Sequence, residues 1–158
     1  MPFLNVNGID MYYEVKGKGQ TVVFIHGLGS SCQDWEKQEP VFSKKYQVVT
    51  LDLRGHGKSQ KPSGPYSMAL FASDVAGVIR SLNLAPVHVV GISLGGMIAL
   101  QLAADHPELV RSFVAANNNS EMSAHMERPL GDIYAYERCP FAGNAQNGRG
   151  FGQEYVPR

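Results

Sequence analysis

The sequence predicts an α/β fold with a mainly parallel sheet, and three observations carry that prediction. Short runs rich in apolar and β-branched residues, TVVFI at 21–25, YQVVTL at 46–51 and VHVVGI at 87–92, read as buried strands, the first of them continuously apolar as a strand buried on both faces is. Between them lie stretches of helical periodicity, the clearest at 67–83, where Phe71, Val75, Val78, Ile79 and Leu82 recur at the spacing of one helix face. Strands that alternate with helices in this way are joined by crossovers, and crossovers place successive strands parallel.

The elements follow in order. Residues 3–6 and 9–15 are two short β-type runs separated by Asn7-Gly8, the strongest short hairpin signal. Gly17-Lys18-Gly19 breaks the pattern before the first buried strand at 21–25. A Gly/Ser loop leads into a polar, helix-like stretch at 35–44, disturbed by Pro40. After the strand at 46–51, residues 54–65 are rich in Gly, Ser and Pro and read as a loop. Ser67 is the expected N-cap of the amphipathic helix. The strand at 87–92 precedes a helix at 94–104 that is apolar on most sides, as a buried helix is. A further strand is expected at 110–116. Beyond about residue 120 apolar residues become sparse and aperiodic, Gly and Asn accumulate, and no helix or strand is expected. The chain therefore divides into a folded portion, 1–119, and an irregular tail, 120–158.

Composition narrows the function. With 44% hydrophobic and 18% charged residues, the 158-residue chain has the profile of a globular domain. Fourteen basic and fourteen acidic residues cancel, which leaves no electrostatic footprint for nucleic acid or an anionic membrane. Cys32 and Cys139 lie far apart, in no metal-ligand spacing, and read as two free thiols. The N-terminus has no basic region followed by an apolar stretch, and no apolar run approaches membrane-spanning length, so a cytoplasmic location is expected.

The chemistry is concentrated in Gly91-Ile92-Ser93-Leu94-Gly95, a G-x-S-x-G between a strand and a helix. In a loop such a match means little. At a sharp strand-to-helix turn it strains the serine backbone and lifts its hydroxyl clear of the sheet, as a nucleophile requires. The positions two before and two after must then be glycine, because neighbouring chain passes close to both. His26-Gly27-Leu28-Gly29 follows the first buried strand. As a plain Gly-rich turn it would be unremarked; beside a nucleophile it is the place for an oxyanion donor. The expected donors are the backbone N–H groups of Leu28 and Leu94.

Two rival motifs are weaker. Gly27-Leu28-Gly29 after a strand, with Asp52 ending the next strand, imitates a dinucleotide-binding fingerprint. Its third glycine is Cys32, the following helix is interrupted, and the elbow is left unexplained. Gly57-Lys58-Ser59 imitates the end of a P-loop, but the glycine required five residues earlier is Asp52.

Taken together, HGLGSS, LDLRGHGKS, GPYS and HVVGISLGGMIALQLAADHPELV resemble the α/β-hydrolase family, most nearly its serine esterases, enol-lactone hydrolases and related small-ester hydrolases, over residues 21–117. The resemblance implies hydrolysis of a carboxylic ester, thioester or lactone by an acyl-enzyme route. It implies Ser93 as nucleophile, Leu28 and Leu94 as oxyanion donors, a small-molecule substrate, and no cofactor or metal. Dehalogenases and epoxide hydrolases of this fold carry aspartate at the elbow, and Ser93 argues against both. In the same family the catalytic histidine and its acid lie beyond the lid region, later than any of the five histidines here. His56 belongs to a loop-shaping motif, His26 orients backbone, His88 sits in a strand, His106 ends a helix and His125 lies in the tail.

The sequence thus leads to the expectation of an α/β-hydrolase sheet truncated before its last strands, with a catalytically inactive remnant as the alternative to an active enzyme. A serine without a base is a weak nucleophile. A frameshift near His125 is one origin for the loss of pattern, since residues 140–156 read one nucleotide later can encode an amphipathic segment; the coding sequence downstream of Ser120 tests this. A bare edge beside the strand at 110–116 is the expected consequence, with self-association through it.

Overall fold

The computed structural model describes residues 2–116 and a strand at 133–137. The rest of the tail, with His125 and Cys139, lies outside the described residues. The described strands form one seven-stranded sheet in the order β1-β2-β4-β3-β5-β6-β7.

β1 (Phe3–Val6) and β2 (Ile9–Lys16) are the expected antiparallel hairpin. Asn7 and Gly8 both take positive φ, 49° and 77°, the geometry that matches a tight turn to the twist of its strands. β3 (Thr21–Ile25), β4 (Gln47–Leu51), β5 (Val87–Ile92) and β6 (Val110–Ala116) make a central parallel block ordered β4-β3-β5-β6. Every residue of β3 is buried, as its unbroken apolar run requires.

Between β3 and β4 the expected helix at 35–44 is instead two short pieces, a 3-10 turn at Cys32–Trp35 and α1 at Glu39–Phe42. Pro40 explains the division. It lacks an N–H and clashes with the preceding turn, so it is tolerated in the first turn of a helix, where it stands here. α2 (Met68–Ser81) is capped by the Ser67 hydroxyl, which accepts the Leu70 N–H at 3.1 Å. α3 (Leu94–Asp105) runs directly from β5 and leads through a 3-10 turn at Pro107–Leu109 into β6.

The main core lies between one sheet face and α2 and α3. Val23, Ile25, Val49, Leu51 and Val89 meet Val75, Val78, Ile79, Ile98 and Leu102 there. On the other face Trp35 covers Val22, Phe24 and Val48, its ring 4.7 Å from that of Phe24.

The described segment of the tail departs from expectation. β7 (Ile133–Glu137) pairs antiparallel with β6, from Ala116↔Ile133 to Ser112↔Glu137. The β6 edge expected to be bare is therefore paired within the chain. IYAYE has the β-branched and aromatic content that suits a pleated surface, and an unpaired row of N–H and C=O groups is a ready template for it. A five-residue run surrounded by aperiodic sequence carried too little pattern to be read as a strand.

The connections determine where a site can form. From β3 the chain passes to β4 on one side, and from β5 it passes to β6 on the other. β3 and β5 are neighbours with diverging exits, a topological switch point. In open α/β sheets ligands bind beyond the carboxyl ends of the strands at such a crevice. The loops leaving those two strands carry Gly27-Leu28 and Ser93.

Candidate active site

Ser93 stands between the last residue of β5 and the first of α3 with φ 53° and ψ −118°. This is the strained elbow expected from the motif, in a region that costs a non-glycine residue about 1–3 kcal/mol. The surroundings impose it. The Ser93 N–H donates to the Ala116 carbonyl at 2.8 Å, and the Ser93 carbonyl accepts the first helical N–H groups, from Gly96 at 2.9 Å and Met97 at 3.2 Å.

The flanking glycines are required by contact. A Cβ at Gly91 would overlap the Gly95 carbonyl, and one at Gly95 would overlap the Ile25 carbonyl. Both obstacles are backbone and cannot rotate away. Gly95→Ala must therefore push α3 off the end of β3, at a cost of about 1–3 kcal/mol or more. The expected outcome is a lower thermal midpoint together with lost reactivity at Ser93, measured by calorimetry and active-serine labelling. An unchanged midpoint would contradict the contact.

The β3 loop closes against the elbow. A Cβ built on Gly27 would lie 3.6 Å from the Ser93 Cβ. Leu28 follows and is 76% exposed. Leu94 opens α3, where the first N–H groups of a helix have no intrahelical acceptor. Among the described residues neither the Leu28 nor the Leu94 N–H has a hydrogen-bond partner.

The loop after β4 forms the adjoining rim, and Asp52 organises it. Its buried carboxylate accepts the Cys32 N–H at one oxygen and the Lys58 N–H at the other, both at 2.7 Å. Its carbonyl accepts the Ser59 hydroxyl at 2.6 Å. An acid so engaged has no free face for a ribose, which removes the feature that recommended the dinucleotide reading. Burial, reinforced by Asp52, pushes the Cys32 thiol up to about 12, so it is no thiolate at neutral pH.

An ion pair that sequence reasoning missed fixes the same loop. Arg54 Nε and Nη2 donate to Asp74 of α2 at 2.6 and 2.8 Å, and Asn7 adds a bond to Asp74 at 2.9 Å. Asp74 is fully buried. The available signal was a carboxylate on the apolar face of an otherwise regular amphipathic helix, beside Phe71, Val75 and Val78.

The described histidines are all engaged away from Ser93. His26 is fully buried and bonds to Gly27 and Leu53. His56 Nδ1 donates to the Arg54 carbonyl at 2.9 Å, as a loop-shaping residue would. His88 meets the Ser112 hydroxyl and Gln20, and His106 meets Arg80. Among the described residues no set of three or more His, Cys, Asp or Glu side chains is placed to hold a metal ion. None of the described helices is long and apolar enough to cross a membrane.

His26 gives the domain an acid limit. Burial holds its imidazole below the usual value, with His56 adding to the depression and Gly27, Asp52 and Asp34 opposing it. Between that depressed value and the ordinary one of about 6.5 the unfolded chain binds the proton and the folded chain does not. The contribution is complete above about pH 6.5 and declines as the pH falls below it. Urea midpoints should drop from pH 7.5 to 5.0, and His26→Asn should be flatter over that range. Identical slopes would exclude His26 as the source.

A serine at a strained elbow, beside a glycine loop at the switch point of a mainly parallel sheet, defines an α/β-hydrolase fold. The family model described as "alpha/beta hydrolase fold" matches residues 20–138, and the chain belongs to that family. Among curated proteins it is similar to "Putative carbamate hydrolase RutD" of Azorhizobium caulinodans, 31% identical over 128 residues, which cover 81% of this chain and 48% of that protein. Among solved structures it is similar to Est816, described as an N-acyl homoserine lactone degrading enzyme (35% identity, TM-score 0.73, 75% of this chain and 46% of that one). It is also similar to the enol-lactonase of Burkholderia xenovorans LB400 (31% identity, TM-score 0.72, 74% and 46%). The chain spans about half the length of the curated relatives it matches.

Proposed function

We propose that the protein hydrolyses a small carboxylic ester, thioester or lactone through Ser93. The observation that carries this reading is the Ser93 backbone at φ 53° between β5 and α3, with the Gly27 loop against it. In the proposed reaction the Ser93 oxygen attacks the substrate carbonyl and its proton passes to a general base. The Leu28 and Leu94 N–H groups, free of other acceptors among the described residues, hold the tetrahedral oxyanion. The C–O or C–S bond breaks, the leaving group takes the proton, and water releases the acyl group by the same steps reversed. No cofactor or metal enters. The lactone and carbamate substrates in the names of similar proteins share the carbonyl that this arrangement addresses.

None of His26, His56, His88 or His106 hydrogen-bonds to Ser93, and each is engaged with other partners. That observation favours a second reading, in which the 158-residue chain keeps the elbow but lacks turnover. A fluorophosphonate probe separates the two. Rapid labelling mapped to the Ser93 peptide supports the hydrolase reading. Labelling as slow as in Ser93→Ala supports the second.

A further inference from the structure

His26 lies one residue before the loop that meets Ser93, and its ring joins two segments distant in sequence. Nδ1 is 2.7 Å from the Gly27 carbonyl, and Nε2 is 3.0 Å from the Leu53 backbone nitrogen. The partners decide the proton positions. A carbonyl can only accept, so Nδ1 carries the proton; an amide N–H can only donate, so Nε2 carries none. The ring is a neutral Nδ1–H imidazole, fully buried, with the His56 ring 5.2 Å away.

The consequence follows from the peptide plane. The Gly27–Leu28 bond is trans, so the Gly27 carbonyl and the Leu28 N–H point in opposite directions within one rigid unit. Fixing the carbonyl on His26 fixes the direction of the N–H. The same bond draws electron density toward the carbonyl and makes the N–H a better donor. Leu28 is itself largely exposed, and glycines flank it on both sides. The other hydrogen bond to this peptide is a long one, Ser30 N–H to the Gly27 carbonyl at 3.4 Å. The loop therefore has little else to hold its orientation.

We propose that His26 is a positioning residue, a tautomer-locked imidazole that aims the Leu28 N–H at the oxyanion, with the Leu53 amide holding the lock. This rests on the serine-hydrolase reading for its functional part, whereas the lock itself does not. It ties the end of β4 to reactivity at the end of β3, so displacement of Leu53 would be felt at Leu28 without touching substrate. His26 makes no contact with the reacting atoms.

Two substitutions divide the role. The His26→Asn amide can donate from the place of Nδ1 but cannot reach Leu53. The His26→Gln carbonyl can accept from Leu53 at the place of Nε2 but leaves Gly27 without its donor. The direct measurement is made first on the wild-type chain, by long-range 1H–15N spectra of the His26 ring at pH 7. The expected result is a protonated Nδ1 and a bare Nε2. An Nε2–H ring or an imidazolium overturns the proposal whatever the variants do. Next, kcat and KM for a p-nitrophenyl acyl ester are compared at equal folded fraction, with Ser93→Ala as the reference. His26→Gln should lose about 100-fold in kcat with KM unchanged, the effect of a misplaced catalytic donor. His26→Asn should stay within about tenfold of wild type. Equal losses in both variants, or losses that track only stability, overturn the positioning role. If wild type and Ser93→Ala turn over alike, the hydrolase reading fails instead. The Leu28 amide resonance then tests positioning by itself: it should shift in His26→Gln and not in His26→Asn, and the reverse overturns the proposal.

Discussion

Ser93→Ala is expected to lower kcat for a p-nitrophenyl acyl ester by on the order of 10⁶ in an active protein, the loss seen when a serine nucleophile is removed from a working triad. The size of the effect comes from cooperation. A hydroxyl is a poor nucleophile until a base takes its proton, so oxygen and base fail together. KM should move little, because the elbow hydroxyl reaches the reacting carbonyl and little else. The residual rate, about 10³–10⁴ over water, would report the Leu28 and Leu94 donors acting on bound substrate. The measurement also separates the two readings of the 158-residue chain. A change of less than about tenfold on Ser93→Ala would mean that no base reaches the serine, which the engagement of the four described histidines elsewhere anticipates. A change of several orders would mean that a base does reach the serine, with His56, His125 or a second chain as its source.

Asp74→Ala is expected to destabilise the domain by about 3–5 kcal/mol, because it strands the Arg54 guanidinium in a site where the arginine side chain is only 8% exposed. For a chain of this size that is a fall of roughly 6–20 °C in thermal midpoint. Asn7 loses its carboxylate partner as well. The damage should spread along the loop after β4. That loop reaches β2 through Gln60, whose N–H donates to the Asp10 carbonyl at 2.9 Å. The double variant Arg54→Met with Asp74→Leu should recover most of the stability, since replacing both members of a buried pair with apolar groups is often neutral or better. A single variant within about 1 kcal/mol of wild type, measured by urea titration, would show that water relieves the stranded charge.

What the sequence disclosed and what it withheld divide along contact order. β3, β4 and β5 were legible because burial concentrates apolar and β-branched residues into five or six consecutive positions, most completely in β3. α2 was legible from its periodicity and its Ser67 cap, and the Ser93 elbow from glycines placed by steric need two residues to either side. These are local signatures. The breakup of 35–44 into two short helical pieces was half legible, since Pro40 was visible but its place at a helix start was not. β7 was not, because a strand of five residues acquires its meaning from the β6 edge it joins. The Arg54–Asp74 pair and the His26–Leu53 bond were hidden for the same reason. Each links residues more than a helix apart in sequence, and a single charged or imidazole side chain does not reveal its partner.

The parallel seam between β3 and β5 has a consequence for how such a chain can change over time. Phe24 lies opposite Val90 and Ile25 opposite Gly91, so the loops bearing Leu28 and Ser93 leave from adjacent rungs of one ladder. The gap between the two halves of the site is set by main-chain spacing, about 4.8 Å between strands, rather than by which side chains fill the core. Apolar residues beneath the seam can be exchanged, provided the rungs stay in step, without altering that gap. A homologue can then differ at most positions and keep the same working distance. New substrate preferences would arise by lengthening or recolouring the loops above a span that inheritance leaves untouched.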